Sequence, residues 1–236
     1  MSISNDARSR IKKVFEPIAL GMGRLGLTPD GLTLIGFVIT LIGAVLIAQQ
    51  LWLLGGVVIF VGGAFDMFDG TLARATGRVS VLGEFMDSVF DRWGEAFVYL
   101  GIVIGSIAAR FDEAAILAAA AMGAAFMVSY TRAKSEGLGF TSTTRMAAVG
   151  VMPREVRLVI LSLGLILAGL AGGIAEPLLY MEGVDLPGGL YLDTIRGREF
   201  LTIALAIIAI GATITVIQRI RHVRNQARSA TPTTPQ

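Results

Sequence analysis

Apolar residues run along this chain in blocks close to 20 residues long, separated by short breaks rich in polar residues, glycine or proline. Blocks of that length cross the ~30 Å hydrocarbon core of a bilayer as helices. The pattern predicts six spans, at 31–50, 51–73, 82–109, 113–134, 155–179 and 199–219. Ahead of them, Ile11, Val14, Phe15, Ile18, Met22 and Leu25 recur at helical spacing within residues 5–26. Arg8, Arg10, Lys12, Lys13 and Arg24 fill other positions there, which is the pattern of a basic amphipathic helix lying on an anionic membrane surface. Pro17 can kink that helix, and Thr28 before Pro29 is a start signal for the next one. The expected fold is therefore an all-α membrane protein with six transmembrane helices and an N-terminal amphipathic interfacial helix.

Composition agrees. Only 16% of the residues are charged and 54% are hydrophobic, whereas a soluble domain carries about 25% charged residues. The 29 glycines and many alanines suit close helix approach in lipid. There is no cysteine, which excludes disulfides and thiolate metal sites. The first 25 residues are charged throughout and lack the compact apolar core of a cleavable signal peptide. A net charge of +2 gives no reason to expect a nucleic-acid partner.

The distribution of charge says more than its sum. Of the 20 Lys and Arg residues, 16 fall before span one, between spans two and three, between four and five, or after six. Arg110, Arg196 and Arg198 fall on the other side, and Arg92 lies within span three. The positive-inside rule then places both termini in the cytoplasm of a multi-pass protein of the cell (inner) membrane. The expected organisation is a cytoplasmic amphipathic juxtamembrane segment over 1–28, a six-helix domain over 29–222, and a disordered cytoplasmic tail over 223–236. A long external loop is expected at 180–198.

One stretch breaks the apolar pattern: FDMFDGTLARATGRVSVLGEFMDSVFD, residues 65–91. Asp66 and Asp69 are three residues apart and Asp87 and Asp91 four apart, so each pair shares a helix face. The pairs end span two and begin span three, which brings them to similar depth on antiparallel neighbours at the cytoplasmic rim. An aspartate at the centre of a membrane helix costs roughly 2.5–3.5 kcal/mol on insertion scales, and four together repel. Hard divalent cations with oxygen ligands, Mg²⁺ or Mn²⁺, neutralise such a set. Gly70, Ala73 and Gly83 leave those faces bare for a bulky anion, and Arg74 is placed to meet a phosphate.

The run Asp66-x₂-Asp69-Gly70-x₂-Ala73-Arg74-x₈-Gly83-x₃-Asp87-x₃-Asp91 resembles, without a mismatch, the signature of the CDP-alcohol phosphotransferase family (CDP-alcohol phosphatidyltransferases). The resemblance implies an enzyme that transfers a phosphatidyl group from CDP-diacylglycerol to a second alcohol and releases CMP. It implies two Mg²⁺ or Mn²⁺ ions on Asp66, Asp69, Asp87 and Asp91, with Asp91 also the general base. It further implies CDP-lipid contacts from Asp30, Gly31, Leu32, Thr33, Gly70, Ala73, Arg74 and Ser80, and a homodimer.

Clustered cations between spans four and five suggest that the acceptor itself carries a phosphate. The pattern is similar to the phosphatidylinositol-phosphate synthase branch, whose acceptor is inositol 1-phosphate. The matching positions, and so the implied acceptor contacts, are Ser129, Arg132, Arg157 and Arg219, the last following Gln218. Glycerol 3-phosphate, serine or free inositol as acceptor, and CDP-archaeol as donor, are the alternatives within the same chemistry. A cation transporter is the rival of a different class, but such sites usually sit near the midplane, among broken helices and repeats.

Overall fold

The computed structural model describes residues 16–140, 146, 149–172 and 197–230. The expected basic helix before residue 16, Arg145, most of the 180–198 loop and the last six residues lie outside them. Among the described residues the chain is helical throughout, with α1 over 16–24, α2 over Pro29–Ala48 and α3 over Trp52–Thr76. Then come α4 over Val81–Ala108, α5 over Asp112–Gly137, α6 over Arg154–Gly172 and α7 over Arg198–Ala230.

The boundaries have local causes. Thr28 caps α2 by accepting the Gly31 N–H at 3.1 Å, and Pro29 opens the first turn, where its missing donor costs nothing. Gly77, at φ 66°, ends α3 in the left-handed conformation. Ser80 then caps α4 by accepting the Gly83 N–H at 2.9 Å. Helix α7 continues to Ala230, past residue 222 where a disordered tail was expected. Arg221, Arg224 and Arg228 favour the negative end of its dipole, and Gln226 meets His222 at 2.9 Å one turn back.

Helices α2, α3, α5, α6 and α7 are long and apolar enough to cross a membrane. Helix α4 has the length, but Asp91, Arg92 and Glu95 fall in its more apolar part, so length and composition alone give five spans rather than six. Lipid-facing stripes are visible directly: Leu34, Val38, Ile42 and Val45 of α2 are exposed on one face, as are Ile203, Ile207, Ile210, Ile214 and Ile217 of α7. A multi-pass membrane protein shows this inverted pattern because lipid, unlike water, solvates such side chains.

The six long helices pack in a circuit, α2–α3–α6–α7–α5–α4 and back to α2. Small residues set the spacing. A Cβ on Gly101 would stand 2.4 Å from the Ala44 carbonyl oxygen, and one on Gly105 would stand 2.4 Å from that of Ile47. Helices α2 and α4 therefore touch backbone to backbone. Helix α5 buries a row of alanines, Ala114, Ala118, Ala121 and Ala125, in the main core with Ile102, Leu205 and Ile208. A smaller core of Ala19, Leu32 and Leu72 holds α1 against α2 and α3.

Candidate active site

The up-and-down order of the helices brings the starts of α2, α4 and α6 to the same end as the close of α3, α5 and α7. The predicted site residues gather at that end. Asp69 is only 6% exposed, and its Oδ2 accepts a hydrogen bond from Thr33 Oγ1 at 2.6 Å, which ties α3 to α2. The Gly70 N–H also donates to its Oδ1. Asp66 lies one turn earlier against Gly36, where a Cβ would come within 3.0 Å of its Oδ1. A side chain at Gly36 would thus crowd the carboxylate.

The surroundings of that first pair are open on one side. Arg74 folds back over the bare face of Gly70, its Nη1 3.2 Å from where a Cβ would be, and its Nη2 lies 3.4 Å from Thr71 Oγ1. Ala73 is half-buried beside it and Ser80 is exposed. Asp30 is exposed on the first turn of α2 with its Oδ1 beside Gly83 of α4. Within the Asp30–Thr33 segment the roles divide: Gly31 serves the cap, Leu32 is in the small core, and Thr33 holds Asp69.

The second pair meets the first through an arginine. Arg154, the first residue of α6, places Nη2 2.7 Å from Asp66 Oδ2 and Nη1 2.8 Å from Asp91 Oδ1. One guanidinium therefore bridges carboxylates of α3 and α4. Arg92 Nη1 adds a contact to Asp91 Oδ2 at 3.1 Å. Asp87, half-buried, faces the negative charge of Asp66 and the positive charge of Arg154. Sequence spacing does not single out Arg154, because it marks Arg154 and Arg157 as near neighbours on one helix face without saying which reaches the aspartates. Pro153 immediately before Arg154 was the available signal for a first-turn position.

A donor set made only of carboxylates on two facing helices fits a hard divalent cation. The bridge formed by Arg154 adds that a single positive group can serve Asp66 and Asp91 together. Among the described residues no three carboxylates already converge on one point.

The same bundle end carries a basic region. Arg157 is only 1% exposed, with Nε and Nη2 held by Glu95 at 2.8 and 2.9 Å and Nη1 donating to the Met152 carbonyl at 3.1 Å. Its donors are thus turned to α4 and to the chain before α6; Glu95, one turn beyond Asp91, had no sequence signal of its own. Arg219 of α7 is buried as well, donating to the carbonyls of Val128 and Val149. Arg132, Arg157 and Arg92 lie within electrostatic reach of it. Arg132 pairs with Glu136 at 3.1 Å, and half-buried Ser129 stands one turn before it on α5.

Residues 26–184 match the family model described as CDP-alcohol phosphatidyltransferase. The chain is 32% identical over 229 residues to the phosphatidylinositol phosphate synthase of Streptomyces avermitilis, covering 95% of this chain and 83% of that one. It is 36% identical over 154 residues to the archaetidylinositol phosphate synthase of Pyrococcus horikoshii, covering 65% and 77%. The solved phosphatidylinositol phosphate synthase of Mycobacterium tuberculosis in complex with manganese and citrate superposes with a TM-score of 0.69 at 25% identity, over 93% of each chain. The same enzyme with CDP-DAG bound gives 0.70 at 24% identity, over 94% of this chain and 100% of that one.

Proposed function

Because this chain belongs to the CDP-alcohol phosphatidyltransferase family, we propose that it transfers a phosphatidyl group from CDP-diacylglycerol to inositol 1-phosphate and releases CMP. It is a multi-pass membrane enzyme of that class. One observation carries the substrate reading: Asp66 and Asp91, from different helices, are bridged by one guanidinium at the bundle end that also carries Arg74 over bare Gly70 and the arginines around Arg219. A lipid-linked pyrophosphate suits Arg74 over Gly70 and a phosphorylated polyol the arginines around Arg219. The relative from Streptomyces supports inositol phosphate as acceptor and a diacylglycerol donor, since its likeness extends over nearly the whole chain.

The residues divide the work as follows. Asp66, Asp69, Asp87 and Asp91 would hold divalent cations, two Mg²⁺ or Mn²⁺ ions, which when bound supply neutralisation of the pyrophosphate charge. Arg74 and Ser80 meet phosphate oxygens of the CDP-lipid. Gly70 and Ala73 leave it room, and Asp30 and Gly31 close on the nucleotide over Leu32 and Thr33. Ser129, Arg132 and Arg219 line the acceptor side, and Arg157 sets its geometry through Glu95. The acceptor hydroxyl oxygen attacks the lipid-bearing phosphorus, its proton passes to Asp91, and the bond to the CMP oxygen breaks with CMP taking the electron pair. The site opens to the cytoplasm in this reading, and the protein forms a homodimer.

The test uses purified protein in lipid nanodiscs with CDP-diacylglycerol and Mg²⁺ or Mn²⁺, scoring CMP release for each acceptor. Release with inositol 1-phosphate alone is the expected result. Release only with glycerol 3-phosphate, serine or free inositol would move the acceptor and keep the reaction. No release with any acceptor, accompanied by metal flux in liposomes, would replace the enzyme by a transporter.

A further inference from the structure

Arg154 sits where the reaction scheme needs the carboxylates free. Its two terminal nitrogens engage Asp66 Oδ2 and Asp91 Oδ1 at 2.7 and 2.8 Å, so it holds one oxygen of each of two carboxylates that the proposed function assigns to a cation. A guanidinium spans two carboxylates in this way because its donors form a rigid fork. The three side chains are only partly buried, at 27% exposure for Arg154, 18% for Asp66 and 14% for Asp91, so part of the Arg154 side chain reaches the surface of the bundle. One turn on, Arg157 is anchored on Glu95 and Met152. The start of α6 is therefore pinned while the Arg154 side chain, on flexible methylenes, is able to move without it.

We propose that Arg154 is a built-in counter-ion that competes with the divalent cation for Asp66 and Asp91, and that metal binding displaces its guanidinium from between α3 and α4. The inference rests on the metal-site reading above. Four acidic groups at one bundle end repel one another in the absence of positive charge. Arg154 supplies that charge during folding and between metal-loading events, and it yields because a hard dication binds carboxylate oxygens more strongly than a guanidinium does. The consequence is a metal affinity set below what the four carboxylates alone would give.

The experiment measures binding of Mn²⁺ alone to the purified full chain, by electron paramagnetic resonance of the free ion, for wild type, Arg154→Gln and Arg154→Lys. Arg154→Gln is expected to bind about tenfold more tightly, equivalent to ~1.4 kcal/mol. Lysine keeps the charge but lacks the fork, so Arg154→Lys should fall between. Without Mn²⁺ the glutamine variant should melt at lower temperature than wild type, and Mn²⁺ should close the difference. In wild type, phenylglyoxal modification read by peptide mass spectrometry should reach Arg154 faster when Mn²⁺ is added and leave Arg157 protected. Equal or weaker Mn²⁺ binding by Arg154→Gln, with wild-type binding intact, would overturn the competition and leave the metal site standing. Unchanged Arg154 reactivity would overturn the displacement. Absence of Mn²⁺ binding in both proteins would remove the metal site and this inference with it. Should the glutamine variant not fold, Arg154→Lys and the wild-type modification pattern decide.

Discussion

Two carboxylates one turn apart on α4, Asp91 and Glu95, are both paired with arginine, yet their settings give them different work. Asp91 shares Arg154 with Asp66 and meets Arg92 as well, at the edge of the open site, whereas Glu95 is closed on Arg157 in a two-point pair. Asp91→Asn is expected to lower CMP release by about 10²–10⁴-fold, the usual contribution of a general base, while CDP-lipid binding persists. Steady-state turnover beside a direct nucleotide-binding measurement checks this, and unchanged turnover would remove Asp91 from the base role. Arg157→Ala leaves Glu95 as an uncompensated charge within the bundle, and breaking such a pair costs on the order of 3–5 kcal/mol. Its main effect should appear as a lowered melting temperature in nanodiscs, and a variant that melts like wild type but has a raised acceptor KM would return Arg157 to direct phosphate contact.

At the scale of elements, the glycines of α4 determine how near α2 and the Asp30–Thr33 segment can come. Gly105→Leu should force the two helices apart, because its Cβ would fall 2.4 Å from the Ile47 carbonyl oxygen, and overpacking of this kind costs roughly 1–3 kcal/mol. Loss of both activity and thermal stability is expected, with Gly123→Ala, which meets nothing within 4 Å, as the silent comparison. Most of these elements were legible in the sequence. Helix starts were marked by Thr28–Pro29, the aspartate pairs by their 3- and 4-residue spacing, and the spans by the length of their apolar runs. What stayed hidden depends on partners far away in the chain. No local pattern tells that Asp69 is answered by Thr33, 36 residues earlier, or that Glu95 waits for Arg157, 62 residues later. Spacing does not distinguish Arg154 from Arg157 for the same reason: facing direction is decided by packing of α6 on α3. Helix α7 outruns its apolar pattern because its polar last turns carry no apolar period, while the helix persists through them to Ala230.

At the scale of the whole molecule, the absence of cysteine makes the orientation directly testable. Single cysteines at exposed Arg78 and Arg221 should react with an impermeant maleimide only from the cytoplasmic side, and one at exposed Glu113 only from the opposite side. Labelling of all three from one face would undo the span order. The circuit of helices also divides mechanically into unequal halves. On one side, α2, α3 and α4 are locked by backbone contact and by the Thr33–Asp69 bond. Across the circuit, α5 presents Ala114, Ala118, Ala121 and Ala125 to the core. Alanine has no rotamer to freeze on burial and no branch to interlock, so this seam forms with little entropic cost and opposes sliding only weakly. The helix bearing Ser129 and Arg132, on the acceptor side of the proposed reaction, thus rests on a row of alanines, with the hydrogen bond from Arg219 to the Val128 carbonyl as its polar tie to α7.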